Sequence, residues 1–278
     1  GNGETHDLKL TENITLDEDL NLYANHDVAG DIINLDLNDK TLTCGSYGIR
    51  IYKGTLNITG SGTITSSASD AIKVYGAWED VADWSTLTVG ESVNINSSVK
   101  NAITIDCQNS NVADELFKKA TKSDGSASTN GNANDKGILD YGTTYYVNGY
   151  RTDAAAKENG GLGVNYGHSY GATVNVNGTV YGKRYAVKIN GFIAGDPTAT
   201  NQPKVNIGST AHVSCYQGST YEEMGAEAVA IYCSGYGETV IEGEVIGNSA
   251  VIIKSGGVKV QGDAVITATG TFWFMEFS

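Results

Sequence analysis

Apolar residues along this chain fall at every second position in short runs, and the runs recur. Leu56 and Ile58 alternate with Thr and Asn in Thr55-Leu-Asn-Ile-Thr59, and Leu87 and Val89 repeat the pattern 31 residues later. The match continues without a gap through Ile64/Ile95, Ala71/Ala102, Ile72/Ile103 and Val74/Ile105. Strict alternation predicts strands with one face turned to a core. A repeat much longer than any one strand predicts stacked, equivalent coils, each burying its apolar face on its neighbours. Every coil reads as apolar-x-apolar, a glycine turn, a second short strand, a second turn, then Ala or Val-x-apolar. The series runs through residues 33–51, 56–74, 87–105, 174–189, 205–231 and 241–253, with a last coil from Val258.

Three short strands per coil, stacked at hydrogen-bonding distance, predict an all-β, single-stranded parallel β-helix solenoid interrupted by a long irregular insertion. Three inward ladders follow from the alternation: Ile58, Val89, Val176 and Ile207; Ile64, Ile95, Val180 and Val213; Ile72, Ile103, Val187 and Val229. The chain reads as one domain over 1–278, with a cap and first strands in 1–32 and regular coils in 33–106. The insertion occupies 107–171, regular coils resume over 172–271, and 272–278 form a cap or a junction with another module. Coil-to-coil turns lengthen at residues 76–85, 107–171 and 191–203, all at the same corner, which is where solenoids usually place function. Within the insertion, Asn111 followed by Val112-Ala-Asp-Glu-Leu-Phe-Lys-Lys119 predicts a short capped helix. Residues 123–135 are Gly, Ser and Asn-rich, and the segments 138–150 and 162–170 offer strands for a further coil.

Composition agrees: charged residues are only 18%, with 35 Gly and 2 Pro, a mix suited to short strands and tight turns. The net charge of −14 opposes binding to phosphate backbones, so nucleic acid is not an expected partner. No run approaches the roughly 18 apolar residues of a membrane span. Few Lys and Arg, with abundant Thr, Asn and Gly, suit an extracellular or cell-surface protein whose signal or anchor lies outside this chain. Cys44, Cys107, Cys215 and Cys233 sit in coils too far apart for matching positions to bridge, which predicts free thiols.

With its strand Ile33-Asn-Leu-Asp-Leu-Asn-Asp-Lys-Thr-Leu-Thr43 introducing the first regular coil, the chain resembles the pectate-lyase-like right-handed β-helix superfamily, particularly secreted or surface proteins of bacteria. The resemblance covers most of 33–267 as architecture, and that superfamily includes lyases, hydrolases, tail spikes and adhesins. Its enzymes carry their chemistry on the outward face of the first strand of successive coils. That column reads here Asp36, Asn57, Thr88, Asn175, Asn206, Val240 and Lys259, without carboxylates on adjacent coils. Asp-Asp does not occur, and Gly167-His-Ser169 replaces the Gly-His-Gly of polygalacturonase-like enzymes.

Trp78-Glu-Asp-Val-Ala-Asp-Trp84 sets two indoles beside Glu79, Asp80 and Asp83 in one turn. Sugar rings stack on aromatics while carboxylates accept hydrogen bonds from hydroxyls, although the same indoles could fold back over the corner of the coil. Tyr145, Tyr146, Tyr150 and His168 in the insertion carry the same two readings. Gly160-Gly-Leu-Gly-Val-Asn165 matches one calcium nonapeptide but lacks the tandem copies such sites need, and neither metal nor cofactor is expected.

The expectation is a noncatalytic surface or secreted β-helix that binds a polysaccharide or a cell-surface glycan on its insertion side. The alternative is a polysaccharide lyase or glycoside hydrolase built from Glu79, Asp80, Asp83, Asp153, Arg151 and His168. A second alternative is a spacer in a longer adhesin or fibre. There Phe272, Trp273, Phe274 and Phe277, costly to expose, would meet an end-to-end neighbour.

Overall fold

The computed structural model describes residues 3–24, 29–76, 85–107, 172–190, 203–218, 228–234, 237–254 and 256–270, with the backbone of strands Ile138–Asp140 and Tyr145–Val147. Every regular element among them is a strand. Three parallel sheets form the sides of a parallel β-helix with three strands per coil. The first sheet has eight strands, from Thr5–Lys9 to Gly257–Val260, and the second eight, from Ile14–Thr15 to Val265–Ala268. The third has seven, from Leu20–Leu22 to Ser249–Ile253. Each strand pairs with its equivalents one coil before and after, so hydrogen bonding runs along the axis.

The alternation sets the core. Ile58, Val89, Val176 and Ile207 are Cα partners in succession in the first sheet. Ile64, Ile95, Val180 and Val213 are partners in the second. All eight are buried. In the third sheet Ile72, Ile103 and Val187 stack as expected, but the next member is Ile231, and Val229 pairs with Tyr185 instead. Likewise the first-sheet residue level with Asn57 is Asn34 rather than Asp36, which lies beside Thr59. Both departures are slips of two residues, which leave every side chain on its expected face and are therefore invisible to a period of two.

The turn from the third sheet to the next coil takes only three residues at 52–54, where two backbones nearly touch. Gly54 has φ 120°, and a Cβ there would lie 2.6 Å from the Asp31 carbonyl. The longer connections also leave from this corner: residues 77–84 follow Ile72–Tyr75, 108–171 follow Asn101–Asp106, and 191–202 follow Tyr185–Asn190. The pair Ile138–Asp140 and Tyr145–Val147 is antiparallel and forms its own two-stranded sheet, so this part of the insertion does not add a coil. The expected helix at 111–119 lies outside the described residues, as does 271–278. Among the described residues the core ladders are open at both ends, with Leu8, Ile14 and Leu20 exposed at one and Val258, Val260 and Ile266 at the other.

Replacing Ile95 by Ala leaves a cavity between three coils and should cost about 2–5 kcal/mol in denaturant unfolding. Its exposed neighbour Asn94 should change stability by no more than about 0.5 kcal/mol when replaced by Ala. Equal costs would mean that the faces are misassigned. The four cysteines form no disulfide and all are buried. Burial pushes the Cys107 thiol up to about 12 and those of Cys44 and Cys215 up to about 11. At about pH 8 these three should therefore resist iodoacetamide in the native protein and react on unfolding, read by mass spectrometry.

Candidate functional site

The three outer faces differ in chemistry. On the first sheet, side-chain amides bond from coil to coil. Asn34 Nδ2 donates to Asp7 Oδ1 at 2.8 Å, and Asn57 Nδ2 donates to Asn34 Oδ1 at 2.9 Å. Farther along, Asn206 Nδ2 donates to Asn175 Oδ1 at 2.8 Å. These amides spend their hydrogen bonds on each other, as stacked identical residues do in cross-β ladders. Over its middle coils this face is thus an uncharged ladder. Its far end holds one exposed pair, Glu238 with Lys259 at 2.8 Å, whose hydrogen bond lowers the Glu238 pKa.

The third sheet carries charge and aromatic rings. Its outward column reads Asn21, Arg50, Lys73, Thr104, Lys188 and Tyr232 in register. Cations stacked at about 4.8 Å would repel one another unless neutralised, and carboxylates from flanking positions do so. Arg50 Nη2 lies 3.4 Å from Asp19 Oδ1, which also accepts the Gly48 N–H at 2.8 Å. Arg50 Nη1 donates to the Asp70 carbonyl at 3.2 Å. Lys73 Nζ sits 2.7 Å from Asp106 Oδ2 and 4.7 Å from the centroid of the Tyr75 ring. Asn101 Nδ2 donates to Thr104 Oγ1 at 3.1 Å, and Thr104 Oγ1 donates to Asp70 Oδ2 at 2.8 Å.

Tyrosines line the end of this face, at the corner where the connections leave. Tyr52 and Tyr75 stack with centroids 4.4 Å apart and planes 8° from parallel. Tyr23 on the first coil meets Tyr52 edge-on at 6.3 Å and 74°. Burial, followed by a hydrogen bond with Tyr75, raises the Tyr52 pKa, so its hydroxyl stays protonated and able to donate. Three coils farther on, Tyr185 and Tyr232 stack at 5.0 Å, with Arg184 over one ring and Lys254 over the other.

A separate notch of about 480 Å³ lies at the corner between the first and second sheets, lined in part by Ser209, His212, Glu242, Glu244 and Asp263. Its origin is a turn of two residues between Ile241 and Glu244, set between turns of four on either side. His212 Nδ1 and Glu244 Oε2 lie 2.7 Å apart across it, and Glu242 accepts a hydrogen bond from Gln261 Nε2 at 2.6 Å. Among the described residues, no group of three or more His, Cys, Asp or Glu side chains could hold a metal ion. Among the described residues there is no helix long and apolar enough to cross a membrane.

Of the residues singled out from sequence, Trp78, Glu79, Asp80, Asp83, Trp84, Tyr150 and His168 lie outside the described residues, as do Arg151 and Asp153. Tyr145 and Tyr146 belong to the strand Tyr145–Val147, where Tyr145 is level with Asp140 and Tyr146 with Leu139. Sequence reasoning missed Tyr23, Arg50, Tyr52, Lys73, Tyr75 and Asp106. Their signal was present in Ile49-Arg-Ile-Tyr52 and Ile72-Lys-Val-Tyr75, where the outward positions of the third strand repeat a cation and a tyrosine. His212 and Glu244 lie 32 residues apart in the sequence and meet because they share a register position on neighbouring coils. Comparison with known protein families, curated proteins and solved structures finds no match.

The Lys73–Asp106 pair allows a prediction with a definite sign. Burial alone would lower the Lys73 pKa, but the hydrogen bond and charge of Asp106, with Tyr75 beside it, raise it above the ordinary lysine value. Its contribution to stability is full below the unfolded value of about 10.4 and is lost as pH rises through the folded pKa. Lys73→Met should be less stable than the parent by about 1–2 kcal/mol at neutral pH, allowing for partial solvent screening. Urea titrations at rising alkaline pH should show that difference shrinking.

Proposed function

We propose that this β-helix is a noncatalytic, extracellular or cell-surface protein that binds carbohydrate on the third sheet and the adjoining corner. The observation that carries the reading is the Tyr23, Tyr52 and Tyr75 series beside the Arg50–Asp19 and Lys73–Asp106 pairs. The exposed Tyr23 ring offers apolar surface to sugar C–H groups and the Tyr52–Tyr75 stack presents ring edges and hydroxyls, while fixed carboxylates and cations accept and donate hydrogen bonds to hydroxyls. The corner also bears the connection containing Trp78, Glu79, Asp80, Asp83 and Trp84, whose composition suits the same ligand. The resemblance to the pectate-lyase-like superfamily supports a polysaccharide partner, and the amide ladder on the first sheet supports binding without that superfamily's catalysis there.

A carbohydrate-active enzyme is the second reading, favoured by the notch in which His212 faces Glu244 next to Glu242. It requires release of reducing ends or unsaturated products from a polysaccharide, with loss of that release in Glu242→Gln or Glu244→Gln.

Glycan-array or polysaccharide pull-down binding should weaken about tenfold or more in Tyr23→Ala/Tyr52→Ala and in Trp78→Ala/Trp84→Ala, with the β-sheet circular dichroism retained. Binding unchanged in both variants would remove the proposed site.

A further inference from the structure

Resting on that reading, we infer that the ligand is an uncharged polysaccharide lying parallel to the solenoid axis on the third sheet, one sugar unit per coil over the first three coils. Direction comes from the repetition. Tyr23, Tyr52 and Tyr75 succeed one another on consecutive coils, with ring centroids 6.3 and 4.4 Å apart. The polar partners advance with them: Asp19 and Asn21 on the first coil, Arg50 on the second, Lys73 on the third. Equivalent recognition groups therefore recur along the axis at about 4.8 Å. A pyranose ring has a similar length, so a linear polymer laid along the axis meets the same kind of side chain at each step. A polymer laid across the sheet meets one tyrosine only.

Charge selects the ligand class. Arg50 and Lys73 already hold Asp19 and Asp106 at 3.4 and 2.7 Å. A uronate or sulfate would have to displace a carboxylate from a partner it already has, on a chain of net charge −14. Neutral hydroxyls can instead bridge donor and acceptor of an intact pair.

Exposure sets the length. Tyr23 is 62% exposed and Tyr52 39%, Tyr75 is half-buried, and the next position of that column, Asp106 on the fourth coil, has a side chain only 16% exposed. The accessible strip begins at the first coil and closes by the fourth.

The test is isothermal titration of the full chain with neutral glucose and mannose oligomers of one to six units, and with galacturonate oligomers of the same lengths. Affinity for a neutral series should rise with each unit to three and then level off. Tyr23→Ala, at an exposed position with little bearing on folding, should shorten the plateau to two units. Galacturonate of equal length should bind at least about tenfold more weakly at low salt. Three outcomes overturn the placement while leaving carbohydrate binding intact: no dependence on length, indifference to Tyr23 and Tyr52, or a preference for galacturonate. Failure of the parent chain to bind any glycan on a broad array overturns both the placement and the function on which it rests.

Discussion

Parallel hydrogen bonding between equivalent strands of neighbouring coils puts each residue directly above its counterpart, and the remaining structure answers to that registration. Inward positions must then carry side chains that pack on copies of themselves at about 4.8 Å. Branched aliphatics such as Ile64, Ile95, Val180 and Val213 meet this condition, since each buries its surface on the coil before and the coil after. Stability is accordingly shared between neighbours, and a cavity in one coil is felt in the two beside it.

The same registration governs the outer faces, where self-stacking selects different chemistry. Asn stacks well on Asn because an amide both donates and accepts, which makes the first sheet a closed ladder with few hydrogen bonds left for a ligand. Arg50 above Lys73 is unfavourable alone, and the third sheet resolves the conflict with Asp19 and Asp106 from flanking positions. Those pairs are partly desolvated, with tyrosine hydroxyls and ring edges beside them. On the proposed reading, a neutral, hydroxyl-rich ligand would use such an arrangement without dismantling it.

Turn length decides where the surface departs from a smooth prism. Where two glycines allow backbones to meet, as at Gly30 and Gly54, the corner stays tight. The corner after the third sheet is also the origin of the long connections, so chain variation accumulates next to the tyrosines and ion pairs. At the opposite corner, a two-residue turn between longer ones leaves the His212 and Glu244 notch, a relief of the surface that no side-chain pattern announces.

Much of the fold is legible in the alternation itself. Period two assigns Ile58, Ile95 and Ile103 to the core, and the 31-residue echo between residues 55 and 86 requires stacked coils. The corner of the long connections and the unbridged thiols follow from that plan. Registration between coils does not, because a slip of two residues preserves every facing. Ile33, Leu35 and Leu37 accept two alignments on Leu56 and Ile58, and Val229 competes with Ile231 for the place above Val187; backbone hydrogen bonding makes the choice. The candidate site was harder still to read. Lys73 and Asp106 lie 33 positions apart and Asp70 and Thr104 lie 34 apart, in coils joined by turns of unequal length. Local sequence determined which way each side chain faces. Only the stacked structure determined which charges and rings meet, because that depends on the height of each coil against the next.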